Sequence, residues 1–135
     1  YLRDADPFDW YQRFYQIRDH IVSAILPENR VLNVGAGNSR LSEEMFDEGY
    51  ETITNIDISQ TVTKAMTEKY KEKGPNFKYV QMDVRAMDFT ETFDAVIDKG
   101  TLDCILVSLC SYLVWRGIHD KCQQDDIRDL QGAIC

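Results

Sequence analysis

Apolar side chains recur along the chain with two different periods, and these periods predict its secondary structure. Between Phe8 and Leu26 they follow three- and four-residue steps, the spacing of one stripe on a helix that Pro27 then ends. The residues on this stripe are Trp10, Phe14, Ile17, Ile21 and Ile25. Short runs of β-branched and aromatic residues predict four strands, at residues 30–35, 52–57, 77–82 and 93–97.

Helical patterns separate the first three strands. An apolar pattern over residues 41–46 predicts one helix, with Gly49 as its C-terminal cap, and Ser59 is placed to cap a second helix that runs to Tyr70. Parallel strands need long connections, so this alternation predicts right-handed strand–helix–strand crossovers. The predicted fold class is α/β, a Rossmann-like doubly wound and mainly parallel sheet with flanking helices.

Composition narrows the classes of protein to which the chain could belong. The 135 residues are 44% hydrophobic and 28% charged, which is typical of one soluble domain with one core. A formal net charge of −8 argues against nucleic acid as the main partner. No apolar run reaches the length of a membrane span, so we expect no membrane insertion and a cytoplasmic location. The first residue is Tyr1 rather than Met, which leaves room for an upstream segment.

Cysteine and histidine usage predicts neither a disulfide framework nor a metal site. Three of the four cysteines follow position 109, which is unlike a small secreted fold, and we expect reduced thiols. The spacing of Cys110, His119 and Cys122 matches no closed zinc site. We therefore expect no metal.

Candidate chemistry lies directly after the predicted strands. In open α/β sheets, ligands bind beyond the carboxyl ends of the strands. The residues there are Gly35, Ala36 and Gly37 after the first strand, and Asp57, Asp83 and Asp98 after the others. The glycines permit a sharp turn and a close approach of the backbone to a ligand. Asp57 follows Gly37 by 20 residues, the distance at which an acid accepts the hydroxyls of a ribose, so a nucleoside is implied.

The identity of that nucleoside depends on the turn. A dinucleotide fingerprint needs a third glycine where this chain has Arg40, which argues against a nicotinamide cofactor. A ligand without pyrophosphate needs fewer glycines, and Asp83 with the N–H of Val84 could hold an adenine edge. S-adenosylmethionine meets these requirements, and a nicotinamide-dependent enzyme is kept as a weaker alternative.

Longer stretches around these residues resemble a known family. The segments VLNVGAGNSRLSEEM, NIDIS, QMDVRAMDF and FDAVIDKGTLD are similar to class I, seven-strand S-adenosylmethionine-dependent methyltransferases. The most similar branch methylates lysine in translation elongation factor 1A, the methyltransferase-like 13 type. Its most specific motif here is D-K-G-T-L-D, from Asp98 to Asp103, and its D-W-[FY] segment matches Asp9, Trp10 and Tyr11. Ala36 replaces the cysteine of the family's G-C-G-N-S turn.

The resemblance implies a cofactor pocket for S-adenosylmethionine, with S-adenosylhomocysteine as the product. Besides the turn residues Ala36 and Gly37, the implied cofactor-binding residues are Tyr1, Trp10, Gly35, Asp57, Ile58, Asp83, Val84 and Lys99. The similarity covers residues 1–106, which we treat as the cofactor-binding methyltransferase domain. Residues 107–135 form a divergent C-terminal segment of it, without the Gly-Gly turn and further strands of the family. The sheet is therefore expected to lack those strands, through truncation, splicing or a shifted frame, or to be covered at its edge by a partner chain.

The cofactor already carries an activated methyl group, so the protein must mainly align a nucleophile and exclude water. Asp98 and Asp103 are the catalytic candidates, because carboxylates could hold the ammonium of an acceptor lysine before its proton leaves. The resemblance implies a protein substrate, an elongation factor. The residues themselves do not distinguish lysine from a small amine, an oxygen or an RNA base. The alternative from another class is a non-catalytic cofactor-binding or dimerising module.

Overall fold

The computed structural model describes residue 9 and residues 12–106. Three α-helices and four strands follow one another in the order α1 (Phe14–Ala24), β1 (Val31–Val34), α2 (Leu41–Asp47), β2 (Ile53–Asp57), α3 (Gln60–Lys69), β3 (Phe77–Gln81) and β4 (Ala95–Asp98). Short 3-10 helices cover Lys71–Lys73 and Val84–Ala86, and residues 101–106 are helical. In this part of the chain, every helix is too short or too polar to cross a bilayer.

The four strands form one parallel sheet in the order β3-β2-β1-β4. The chain proceeds outward from β1 to β3 and then returns to the other side of β1 for β4. This reversal confirms the predicted doubly wound α/β architecture. It also places a topological switch point between β1 and β4, where the carboxyl ends of two strands border a crevice.

Two predicted elements begin at least two residues later than expected, while the strands β1, β2 and β3 differ by one residue at an end. The first helix begins at Phe14 rather than Phe8, because Arg13 is extended (ψ 162°) and its N–H donates to Oε1 of Gln16 at 2.9 Å, which caps the helix. The fourth strand covers Ala95–Asp98 rather than 93–97. Phe93 instead packs edge-to-face on Phe89, with ring centroids 4.9 Å apart, and belongs to the preceding loop.

The core lies on both faces of the sheet. One face packs against all three helices through a cluster that includes Phe14, Met45, Ile53 and Phe77. On the other face, a smaller cluster is contributed by β1 and β2 and is covered partly by the loop before β4; its buried members are Leu32, Val34 and Ile56. β1 is buried along its whole length, as expected for a central parallel strand.

A buried polar network ties α2 to the sheet. Nδ2 of Asn33 in β1 donates to Oγ of Ser42 at 2.9 Å and to Oδ1 of Asn55 in β2 at 3.1 Å. Nδ2 of Asn55 donates in turn to the carbonyl of Lys78 in β3 at 3.3 Å. Because buried polar groups must pair, this network specifies how α2 sits on the strands. The turn between β1 and α2 lies between Asn33 and Ser42, which this network joins.

Candidate functional site

The turn after β1 has a left-handed backbone at two positions. Gly35 has φ +62° and Gly37 has φ +53°, which L side chains rarely adopt. At Gly35 a second constraint applies, since a Cβ there would lie 1.7 Å from Oγ1 of Thr101. That hydroxyl donates to the carbonyl of Val34 at 3.1 Å. The residue that forces glycine into the turn therefore comes from the D-K-G-T-L-D segment, and the sequence reasoning did not identify it.

Ala36 has a structural part in this turn. Its side chain is buried in the core, and its N–H donates to the carbonyl of Ile56 at 3.0 Å. Its carbonyl accepts the N–H of Ser39 at 3.3 Å. These contacts explain why a small residue fits in place of cysteine, and the cofactor contact of Ala36 stays a prediction.

Asp57 connects the ends of β1 and β2. Its Oδ2 accepts the N–H of Gly37 at 2.9 Å, and its Oδ1 accepts the N–H of Ser59 at 2.8 Å. The two residues separated by 20 positions are thus in direct contact. An ionised carboxylate offers about four acceptor positions, so two remain for a ligand. Ile58 is the next residue and is 63% exposed, which leaves an apolar surface beside the carboxylate.

Asp83 is paired with a residue that the sequence reasoning did not select. Nη2 of Arg85 lies 2.6 Å from Oδ2 of Asp83, and the Arg85 N–H donates to Oδ1 at 2.9 Å. These hydrogen bonds, from the side chain first and the backbone second, lower the pKa of Asp83. The carboxylate is therefore ionised and oriented before any ligand arrives, and Val84 beside it is partly buried against the second core cluster.

Asp98 caps the helical segment at the end of β4. Its Oδ1 accepts the N–H of Thr101 and its Oδ2 accepts the N–H of Leu102, both at 2.9 Å. Asp103, the residue after Leu102 in the same helical segment, is exposed. The structure thus gives Asp98 a capping role, while the catalytic role of both carboxylates stays a prediction.

Lys99 is held by an acid from the start of the chain. Its Nζ lies 3.2 Å from Oδ1 of Asp9, and each of the two side chains is only 13% exposed. The same Asp9 oxygen accepts a hydrogen bond from Oγ of Ser39 in the turn after β1. Asp9 and Ser39 are site residues that the sequence reasoning missed, although Asp9 belongs to the D-W-[FY] motif.

Residues 31–111 match the family described as methyltransferase domain. The chain belongs to this family. The match covers more than half of the chain, including the turn after β1 and the residues that follow β2, β3 and β4. Two predicted cofactor residues, Tyr1 and Trp10, lie outside the described residues, as do Cys110, His119 and Cys122.

Curated relatives of this methyltransferase domain are longer proteins. It is 43% identical over 106 residues to the eEF1A lysine and N-terminal methyltransferase homolog of Drosophila pseudoobscura pseudoobscura, covering 78% of this chain and 16% of that protein. It is 40% identical over 104 residues to EEF1A lysine methyltransferase 4 of Mus musculus, covering 76% and 40%. This chain therefore spans less than half the length of these relatives.

A solved structure supports the same fold. The glycopeptide N-methyltransferase MtfA, crystallised with S-adenosyl-L-homocysteine, superposes with a TM-score of 0.53 at 25% sequence identity. The superposition covers 66% of this chain and 39% of the MtfA chain.

Proposed function

We propose that this domain transfers a methyl group from S-adenosylmethionine to a lysine of a protein substrate, and that the substrate is a translation elongation factor. The observation that carries the cofactor assignment is the hydrogen bond between Gly37 and Asp57, which joins the turn after β1 to the acid after β2. The names of the curated relatives support lysine of eEF1A as the acceptor.

The residues at the carboxyl edge fit this cofactor. Asp57 keeps two acceptor positions for ribose hydroxyls, and the exposed side chain of Ile58 offers an apolar surface for a flat base. Asp83 is an ionised acceptor for an exocyclic amine. The ammonium of Lys99 adds a cation at the same edge. Together these groups suit a zwitterionic amino acid joined to adenosine.

The cofactor supplies a methyl group already activated on its sulfonium. The domain's own residues bind the cofactor and orient the acceptor lysine. Each carboxylate oxygen of Asp98 accepts one backbone N–H and keeps a further lone pair, with which it can hold the ammonium of an incoming lysine. Asp103, exposed on the same helical segment, is placed to attract that cation. Departure of the lysine proton to water then leaves the neutral amine as the nucleophile.

Charge supports a basic protein as the substrate. The chain carries a formal net charge of −8, which favours encounter with a positively charged surface. A cytoplasmic location, where elongation factors act, is part of this proposal.

Cofactor binding is tested first, with the full 135-residue chain. Calorimetric titration with S-adenosylhomocysteine is compared for the unsubstituted chain, Asp57→Ala and the control Asp19→Asn, which changes a fully exposed acid. We expect Asp57→Ala to weaken binding by about tenfold or more, equal to about 1.4 kcal/mol, and Asp19→Asn to leave it unchanged. Unaltered affinity in Asp57→Ala would contradict the proposed site. A parallel titration with NAD removes the nicotinamide alternative if only S-adenosylhomocysteine binds.

Transfer is tested separately with labelled S-adenosylmethionine and purified elongation factor 1A. We expect label on the elongation factor, and peptide mass spectrometry should locate it on lysine. Binding of S-adenosylhomocysteine without any label transfer would instead favour the non-catalytic binding module.

A further inference from the structure

One acidic side chain joins three parts of the chain at the switch point. Asp9 precedes α1, yet its carboxylate contacts Lys99 beyond the end of β4 and Ser39 in the turn after β1. Oγ of Ser39 also accepts the N–H of Leu41 at 3.1 Å, at the first residue of α2. The carboxylate therefore lies where the predicted cofactor crevice is bordered by β1 and β4.

We propose that Asp9 is a positioning residue that orients the Lys99 ammonium in this crevice and thereby slows the departure of bound ligand. The inference rests on the proposed function only in the identity of that ligand. In this scheme Lys99 contacts the ligand, and Asp9 acts through Lys99.

Burial distinguishes this ion pair from the others in the described part of the chain. Asp9 and Lys99 are both 13% exposed, whereas Lys71 and Glu68, a typical surface pair, are 58% and 75% exposed. Exposed pairs contribute little because water and salt screen them. A shielded pair is coupled more strongly, and removal of one partner costs the other a strong charged interaction. Without Asp9, Lys99 would therefore lose a charged contact that restrains its ammonium.

Such a partner holds the lysine side chain in one conformation, and this benefits a binding site. A free lysine side chain has many rotamers, and it loses this conformational entropy when a ligand immobilises it. If the side chain is fixed before the ligand arrives, binding no longer carries that entropy cost. Ser39 reinforces the arrangement, because its hydroxyl donates to Asp9 and accepts from the start of α2. The same contacts hold Asp9, which precedes α1, against the carboxyl edge of the sheet.

The experiment measures the dissociation rate of S-adenosylhomocysteine by stopped-flow displacement in four full-length chains: unsubstituted, Asp9→Asn, Lys99→Met and the double variant. Asp19→Asn is the control for loss of one negative charge. We expect Asp9→Asn to raise the rate about tenfold and the control to leave it unchanged. In the Lys99→Met background, Asp9→Asn should change the rate less than twofold, since Asp9 acts through Lys99.

A dissociation rate belongs to folded molecules, so it separates positioning from stability. A lower melting temperature in Asp9→Asn with an unchanged dissociation rate would overturn the proposal, and so would equal rate increases in both lysine backgrounds. The ligand-free chain provides an independent readout, the solvent exchange of the Lys99 ammonium protons by NMR. We expect slow exchange that becomes fast in Asp9→Asn, and fast exchange in the unsubstituted chain would refute the proposal. If the unsubstituted chain bound no S-adenosylhomocysteine, the proposed function would fail, and the ammonium exchange would still decide whether Asp9 orders Lys99.

Discussion

Substitution of Gly35 by alanine should destabilise the protein far more than the same change at another glycine with positive φ. Gly35 has φ +62°, and an added Cβ would lie 1.7 Å from Oγ1 of Thr101 and 2.8 Å from its Cβ and Cγ2. Thr101 cannot yield freely, because its hydroxyl donates to the carbonyl of Val34. Either the turn after β1 or the start of the helical segment at residues 101–106 must therefore move.

Three costs combine in the Gly35→Ala variant. A left-handed backbone costs an alanine about 1–2 kcal/mol. Loss of the hydrogen bond from Thr101 costs about 1 kcal/mol, and the added methyl group in a filled space costs about 1–3 kcal/mol. We expect the free energy of unfolding to fall by about 3–6 kcal/mol, a large part of the stability of a domain of this size.

Gly49→Ala is the matched control. Gly49 also has positive φ, +105°, but a Cβ there meets no atom within 4 Å, so only the backbone cost of about 1–3 kcal/mol applies. Urea unfolding, followed by circular dichroism, gives both free energies. The double variant Gly35→Ala with Thr101→Gly removes the clash and should recover about 2 kcal/mol relative to additive behaviour. Equal destabilisation by the two alanine substitutions, or no recovery in the double variant, would refute the role of Thr101.

Three further predictions concern single side chains. The Tyr79 hydroxyl is buried without a hydrogen-bond partner in the described part of the chain, so Tyr79→Phe should stabilise the protein by about 1 kcal/mol. Tyr70→Phe loses a 3.1 Å hydrogen bond to a carboxylate and should destabilise the protein by about 1 kcal/mol. Equal losses of unfolding free energy in urea would show that the Tyr79 hydroxyl has a hydrogen-bond partner after all. Asp83 has a lowered pKa, so its contribution to stability is present above its ordinary pKa of 3.8 and is lost as the pH falls through the lowered value. In the Arg85→Met variant, NMR titration should show that the pKa of Asp83 rises back toward its ordinary value. Asp98→Ala should lower the free energy of unfolding by about 1 kcal/mol through loss of a helix cap, and no change would contradict capping.

The sequence by itself determined the fold class and the edge of the sheet at which the candidate site lies. Apolar periods of about 3.6 and 2 residues, separated by glycine, proline and serine, placed all the strands and the α2 and α3 helices to within a few residues. That Gly37 and Asp57 lie at the same edge was predictable too, because adjacent parallel strands bring their carboxyl ends together, whereas the hydrogen bond between them came from the structure. Acids after β3 and β4 could be assigned to that edge for the same reason.

The partners of those polar groups were decided only by the tertiary structure. Asp9 meets Lys99, and Thr101 covers Gly35, although each pair is far apart along the chain. Hydrophobic periodicity is a local property, which records the side of an element that faces the core. Which distant polar groups meet depends on strand order, on the crossovers and on where Asp9 lies relative to the sheet, and no repeat along the chain encodes these.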